Sequence, residues 1–234
     1  MKNVLLTGFS SGIGYGIAKT LLKNDFKVYG ISRRAITVDI QHENLIKINC
    51  DLSNLSSLEK TLQSLKKINF DVIINVAGVG YFGPHEEINI SKIKNMIAVN
   101  LQAPLIICQY FLRNMKKSGG NIINISSITS TKSSPYGLAY SATKAGLAHF
   151  SEGLFDEVRK YGIKVTNINP DMTDTNFYEN SNFECDKNNE LNFLNVDDVV
   201  EAVMYVLNAK NNNVITTINL KPQFHSINRK KIGK

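Results

Sequence analysis

The chain has 234 residues, 43% hydrophobic and 20% charged, the balance of one soluble globular domain with a substantial core and not of a disordered or fibrous chain. The formal net charge is +7, but Arg229, Lys230, Lys231 and Lys234 supply four of those charges, so the excess is largely a tail effect. With no aromatic-interleaved basic stripe, no ligand spacing around His42, His85, His149 and His225, and three scattered cysteines without a Cys-x-x-Cys, the expectation is a cytoplasmic protein with no nucleic-acid partner, no metal and no disulfide framework.

In chain order, Asn3–Leu6 reads as a first strand that leaves no room for a signal peptide, and no apolar run is expected to reach a membrane span. Thr7-Gly8-Phe9-Ser10-Ser11-Gly12-Ile13-Gly14 follows it and opens a helix over Ile13–Lys23. Glycines there let the turn tighten and let backbone N–H groups approach a pyrophosphate at the helix N-terminus. The plain alternative is a glycine-rich connection. The strand–turn–helix context points to dinucleotide binding.

Lys27–Ile31 reads as the second strand and runs into Arg33-Arg34. An NAD site places a carboxylate about 20 residues beyond the glycines to hold the ribose 2′-hydroxyl. Two guanidiniums there suit a 2′-phosphate instead, which favours NADP(H). The alternative is a pair of solvated surface charges. Leu45–Asn49 reads as the third strand, followed by Cys50-Asp51-Leu52-Ser53, where Asp51 either accepts from an adenine amino group or helps start the helix Leu55–Lys67. Val72–Asn75 is the fourth strand, closed by the small residues Val76-Ala77-Gly78, which suit either a ligand or close packing.

A helix is expected over Ile90–Lys116 with Pro104 inside it. Proline has no N–H, so the carbonyl of Asn100 loses its helical partner and either holds a water or lies in a bend. Asn121–Ile125 reads as the fifth strand and Ala139–Lys160 as a helix with Leu147, Phe150, Leu154, Phe155 and Val158 at helical spacing.

On that helix Tyr140 and Lys144 are four apart, so both leave one face. A phenol of pKa ~10 needs ~4 kcal/mol of phenolate stabilisation to titrate roughly 3 units lower. One ammonium ~4 Å away, at an effective dielectric of about 20, supplies ~4 kcal/mol. Spacing therefore predicts an acidified phenol able to exchange a proton with a substrate oxygen, with Ser127, thirteen residues upstream, holding the same oxygen.

Lys164–Ile168 is the sixth strand, Val196–Asn208 the last helix and Val214–Leu220 the last strand. The alternation describes a doubly wound, Rossmann-like parallel sheet of about seven strands in a single domain spanning 1–224. Residues 171–195 lack periodicity and follow a strand's carboxyl end, so they read as a substrate loop. Tyr81, Phe82, Phe177, Tyr178 and Phe183 either line an apolar pocket or pack locally. Residues 225–234 read as a solvated, frayed basic tail.

In order and spacing, Thr7 to Gly14, Asp51, Asn75-Val76-Ala77-Gly78, Asn100, Ser127, Tyr140 with Lys144, and Pro170-Asp171 followed by Thr173 and Thr175 resemble the motifs of the short-chain dehydrogenases/reductases over nearly the whole chain. The resemblance implies a catalytic set of Asn100, Ser127, Tyr140 and Lys144, with Lys144 also on the nicotinamide ribose. Together with the readings above, it puts the cofactor against Gly8, Ser10, Ser11, Gly12, Ile13, Gly14, Arg33, Arg34, Asp51, Leu52, Asn75, Ala77, Gly78, Tyr140, Lys144, Pro170, Thr173 and Thr175. It departs at Val76 and at Asp171, where the family has Asn and Gly; a carboxylate at 171 tilts the loop or repels an anionic substrate. The implied activity is hydride transfer between NADPH and a small carbonyl or secondary alcohol, with reduction of carrier-bound 3-oxoacyl groups or a non-catalytic NADP-binding sensor or scaffold as alternatives. The implied assembly is a homodimer or homotetramer through the two long helices.

Overall fold

The computed structural model describes residues 1–132, 134–179 and 181–230. Seven strands are all parallel: β1 (Asn3–Thr7), β2 (Lys27–Ser32), β3 (Leu45–Asn49), β4 (Val72–Asn75), β5 (Gly120–Ile125), β6 (Ile163–Pro170) and β8 (Thr217–Leu220). They lie in the order β3-β2-β1-β4-β5-β6-β8. The order reverses between β1 and β4, the position at which open sheets of this kind place a ligand crevice.

Both faces of the sheet are covered, so its central strands read as unbroken apolar runs. Leu5, Ile73 and Ile122 point to one face, where they pack with Leu58 and Leu62 of α2 (Leu55–Ser64), Phe111 of the helix before β5, and Leu154 of α5 (Leu138–Val158). Val4, Leu6, Ile74 and Ile123 point to the other, against Ile17, Ala18 and Leu21 of α1 (Gly12–Lys23) and Val200 and Val203 of α6 (Val196–Leu207). Each such aliphatic side chain contributes about 1.5–3 kcal/mol on burial, so the two cores carry the fold.

The helix expected over Ile90–Lys116 is divided. α3 (Ile90–Ile97) passes through one wide turn at Ala98–Gln102, where the Ala103 N–H bonds back to the Ala98 carbonyl, and α4 (Ala103–Ser118) continues to β5. The wide turn inserts one residue just before Pro104 and so absorbs the donor that proline lacks. By length and apolar composition Ile90–Ser118 is long enough to cross a membrane, contrary to the expectation that no run is. Its apolar residues Ile107, Cys108, Phe111 and Met115 belong to the core below the sheet. The last strand is shorter than expected and begins at Thr217; Lys164 Nζ holds the carbonyls of Lys210 and Asn213 in the turn before it at 2.7 and 2.9 Å.

The C-terminal segment departs most from expectation. Ile227–Arg229 forms a strand, β9, antiparallel to β7 (Phe183–Cys185) inside the loop 171–195. Ser226 and Asn228 donate to the Asp186 carboxylate at 2.7 and 3.3 Å. Lys230 Nζ reaches the carbonyls of Tyr178 and Glu179 at 3.0 and 3.2 Å. Residues 225–230 are therefore a strap over the loop and not a frayed end. Lys231 and Lys234 of the basic tail lie outside the described residues, as does Asn180 of the loop.

Asp186→Ala removes the acceptor for both Ser226 and Asn228. Amide hydrogen exchange over 178–186 is expected to quicken by about tenfold, the equivalent of ~1.4 kcal/mol, while β1 and β4 keep their protection. Unchanged exchange in that segment would show that the strap does not hold the loop.

Candidate active site

A cleft of about 750 Å³ runs across the carboxyl ends of β1, β4, β5 and β6. At one end stands the turn between β1 and α1. Gly8 and Gly12 have φ of +74° and +52°, which favours glycine. A Cβ on Gly14 would sit 2.2 Å from the Gly8 carbonyl oxygen. Ser11 caps α1 without a side-chain hydrogen bond and the first turn holds no acidic residue, so its N–H groups face the cleft end free for an anion. Phe9 was not marked by any sequence signal. It is fully buried, and its ring lies where a Cβ on Gly30 would come within 2.7 Å, so it nails the turn to β2.

Gly8, Ser10, Ser11, Gly12, Ile13, Gly14, Arg33, Arg34, Asp51, Leu52, Ala77, Gly78, Pro170, Thr173 and Thr175 all line this one cleft. Arg33 and Arg34 are exposed and make no ion pair among the described residues. Asp51 Oδ1 accepts from the Ser53 N–H and hydroxyl at 2.9 and 2.7 Å. It does not start α2; Asn54 does, accepting from the Ser57 N–H. Thr175 closes over the turn, its Cγ2 3.2 Å from where a Gly12 Cβ would be.

Asn75 is the exception. It is 2% exposed and does not line the cleft. Its amide donates to Asn124 Oδ1 at 2.8 Å, and Asn124 donates to Ser151 Oγ at 2.8 Å. Register explains this: Asn75 and Asn124 are neighbours across β4 and β5, and both side chains face α4 and α5. The Asn75 side chain ties the sheet to α5.

At the other end Ser127, Tyr140 and Lys144 line the same cleft. Lys144 is 3% exposed and its Nζ donates to the Ile125 carbonyl at 2.9 Å, 5.8 Å from the centre of the Tyr140 ring. The Lys144 carbonyl in turn accepts from Ser126 Oγ at 2.8 Å, so α5 is fixed to the end of β5 at both ends of one residue. Asn100 is fully buried behind the cleft wall. Its Oδ1 accepts from the Val79 N–H at 2.8 Å, and its Nδ2 donates to the Val79 carbonyl at 2.9 Å and Thr143 Oγ1 at 3.1 Å. The side chain is a strut between the strand exit and α5. Gly78 lies beside both, and a Cβ there would be at ordinary contact distance, 3.5 Å from Lys144 Nζ and 3.6 Å from Asn100 Oδ1.

The electrostatics reverse one expectation. Burial pushes the Tyr140 phenol up to about 12, with the Ser127 hydroxyl beside it pulling the smaller amount down. Burial also brings the Lys144 ammonium down to about 8. Spacing correctly put both groups on one face, but a charged phenolate and a charged ammonium both lose water here, and that loss outweighs the coulombic gain the spacing suggested. Phe82 and Phe177 stack at 5.5 and 5.7 Å from the Tyr140 ring, which accounts for its dryness. The Asp171 N–H bonds the Leu220 carbonyl and extends the β6–β8 ladder, and its carboxylate accepts from the Met172 N–H at 2.9 Å.

The glycine cradle, the free N–H groups at the start of α1 and the two unpaired arginines fit a phosphate-bearing dinucleotide. A family model described as "short chain dehydrogenase" matches residues 2–186. An uncharacterized oxidoreductase of Schizosaccharomyces pombe is 32% identical over 174 residues, covering 72% of this chain, and the chain spans only 60% of that relative's length. An uncharacterized oxidoreductase of Staphylococcus epidermidis is 27% identical over 228 residues, 94% of this chain and 97% of the relative. Among solved structures, the closed form of a serine dehydrogenase complexed with NADP+ superposes with a TM-score of 0.85 at 26% identity, over 94% of each chain.

The lowered Lys144 value makes a signed prediction. An ammonium that titrates near 8 when folded and near 10.5 when unfolded opposes folding fully below pH 8 and progressively less as pH rises to 10.5. Denaturant unfolding of the wild type and of Lys144→Met is therefore expected to diverge between pH 7 and pH 10, the wild type gaining about 3 kcal/mol relative to the variant. A difference that stays flat over that range would contradict the buried ammonium.

Proposed function

Since the chain belongs to the short-chain dehydrogenase family, and is thereby an oxidoreductase dependent on a nicotinamide cofactor, we propose that it uses NADP(H) to reduce a carbonyl compound to an alcohol, with Tyr140 as the proton donor. The observation that carries this reading is that one cleft is lined at one end by the glycine turn with Arg33 and Arg34, and at the other by Ser127, Tyr140 and Lys144. The arginines receive the 2′-phosphate, and the N–H groups at the start of α1 receive the pyrophosphate. When bound, the nicotinamide supplies the hydride.

The chain's own residues supply position and the proton. Ser127 donates its hydroxyl hydrogen to the substrate oxygen and so aims the carbonyl carbon. Tyr140, titrating near 12, keeps its proton through neutral pH and is loaded as an acid. A phenol at that value is still more acidic than an alcohol or water, whose pKa is ~15.7, so transfer to the developing alkoxide runs downhill. That favours the reductive direction at neutral pH. Lys144, charged below about 8 and oriented by the Ile125 carbonyl, stabilises the phenolate left behind. Asn100 positions Thr143 and Val79 and thereby the helix that carries both groups.

Steady-state NADPH oxidation against a carbonyl panel tests both halves of the reading. Tyr140→Phe keeps the ring and its packing, and is expected to lower kcat by ~10²–10⁴ with NADPH affinity unchanged. Arg33→Asp is expected to leave kcat near wild type while weakening NADPH by about tenfold or more and sparing NADH. A fully active Tyr140→Phe would remove the proton-donor role, and an Arg33→Asp variant that still prefers NADPH would remove the cofactor preference.

A further inference from the structure

Phe177 and Tyr178 line the cleft, and Phe82 and Phe183, which do not, pack against them. The Phe82 ring lies 5.5 Å from Tyr140, 6.3 Å from Phe177, 6.2 Å from Tyr178 and 5.1 Å from Phe183. Phe177 is 5.1 Å from Tyr178, and Tyr178 is 5.3 Å from Phe183. Phe82 and Phe177 therefore flank the Tyr140 ring, and Tyr178 and Phe183 extend the same cluster. The four come from three separate segments: the loop after β4, the stretch after β6, and β7. None of the four belongs to either hydrophobic core, and each stays only partly buried.

Two features hold this wall in place. A Cβ on Gly80 would stand 2.7 Å from the Phe82 ring and 2.8 Å from the Phe177 ring, so the bare glycine is what lets both rings approach. Lys230 fastens the carbonyls of Tyr178 and Glu179 from behind, which makes the wall a preformed surface and not a loose loop.

The charges at this end have one sign available. Of the residues lining the cleft, Arg33 and Arg34 stand at the far end with the glycine turn; near the rings the charged residues are Lys144, Asp171 and Glu179. Lys144 is buried and committed to the Ile125 carbonyl. Lys187 and Lys230, the other ammonium groups on the loop side, pair with Asp174 at 2.8 Å and with Glu184 at 3.7 Å. Among the described residues no uncommitted ammonium or guanidinium stands at this end to receive a substrate carboxylate, and the carboxylates of Asp171 and Glu179 outnumber the one ammonium. Desolvating an anion in such a setting is costly, whereas a ring gains edge-to-face contacts against Phe177 and Tyr178.

We propose that this site takes an uncharged carbonyl compound bearing an apolar, ring-sized group, seated against Phe177 and Tyr178 where they line the cleft, and that it refuses carboxylate-bearing substrates. The proposal rests on the reductase reading and narrows its substrate class. In the step, the carbonyl π bond opens; a hydride from the reduced cofactor forms the new C–H bond and the Tyr140 proton forms the O–H bond. The ketone is reduced to a secondary alcohol and NADPH is oxidised to NADP⁺.

The test compares propiophenone, its carboxylate-bearing counterpart 3-benzoylpropionate, and butanone. Two readouts are taken on the full chain: kcat/KM with NADPH, and calorimetric affinity in the presence of NADP⁺. Propiophenone is expected to exceed both others by about tenfold or more in each readout. Phe177→Ala is expected to cost propiophenone about tenfold and butanone under about threefold. Glu179→Gln, an exposed change that does not threaten the fold, is expected to shift the ratio toward 3-benzoylpropionate by about threefold. Equal or better use of 3-benzoylpropionate, an equal loss on butanone in Phe177→Ala, or an unmoved ratio in Glu179→Gln would overturn the proposal. Should the affinities keep the expected order with no turnover of any ketone, the subsite assignment stands and the reductase reading falls. Turnover with the order inverted does the opposite.

Discussion

The hydrogen bond from Lys144 Nζ to the Ile125 carbonyl is the contact on which the site depends. It joins the second turn of α5 to the end of β5, and it does so with a charge that has lost nearly all its water. An ammonium in that position is stabilised only if every nearby dipole is aimed at it, so its neighbours have little freedom. Ser126 bonds the same residue's carbonyl, Thr143 is held by Asn100, and Asn100 is held by Val79. The result is a rigid corner in which Tyr140 can adopt one orientation toward the cleft.

The other end of the cleft is fixed by different means. The glycine turn is shaped by close approach, Gly8 against Ala77 and Gly14 against Gly8, with Phe9 driven into the core as its anchor. Thr7 Oγ1 accepts from the N–H groups of Val76 and Ala77 at 3.1 and 3.2 Å, so the turn and the exit of β4 move as one body. Parallel strand register does the rest. Because β1, β4, β5 and β6 are parallel neighbours, their carboxyl ends share one edge and bring residues from distant parts of the chain to one crevice. The strap formed by β9 then closes the substrate side over β7.

What the sequence made legible were features whose physics is local. The Tyr140–Lys144 spacing, the glycine turn between a strand and a helix, and the alternation of apolar strands with amphipathic helices each depend on a handful of adjacent residues. Pro104 revealed a missing donor, but not that a single wide turn would absorb it. The place of the Asn75 side chain was not legible because it is decided by Asn124 and Ser151, which only strand register and helix packing bring near. The strap escaped notice because its strands are three residues long and carry no periodicity. The phenol was misjudged for a related reason: spacing gives the distance between two charges but not the dielectric between them, and Phe82 and Phe177, which set that dielectric, come from other segments.

Burial, more than the neighbouring ammonium, therefore governs the acidity of Tyr140. The most direct measurement is the NMR titration of tyrosine Cζ carbons in labelled protein, with the Tyr140 resonance assigned by its loss in Tyr140→Phe. The phenol is expected to remain protonated past pH 10, with its midpoint near 12. A midpoint close to neutrality would contradict the account, because it would mean that Lys144 and not desolvation sets the acidity of Tyr140.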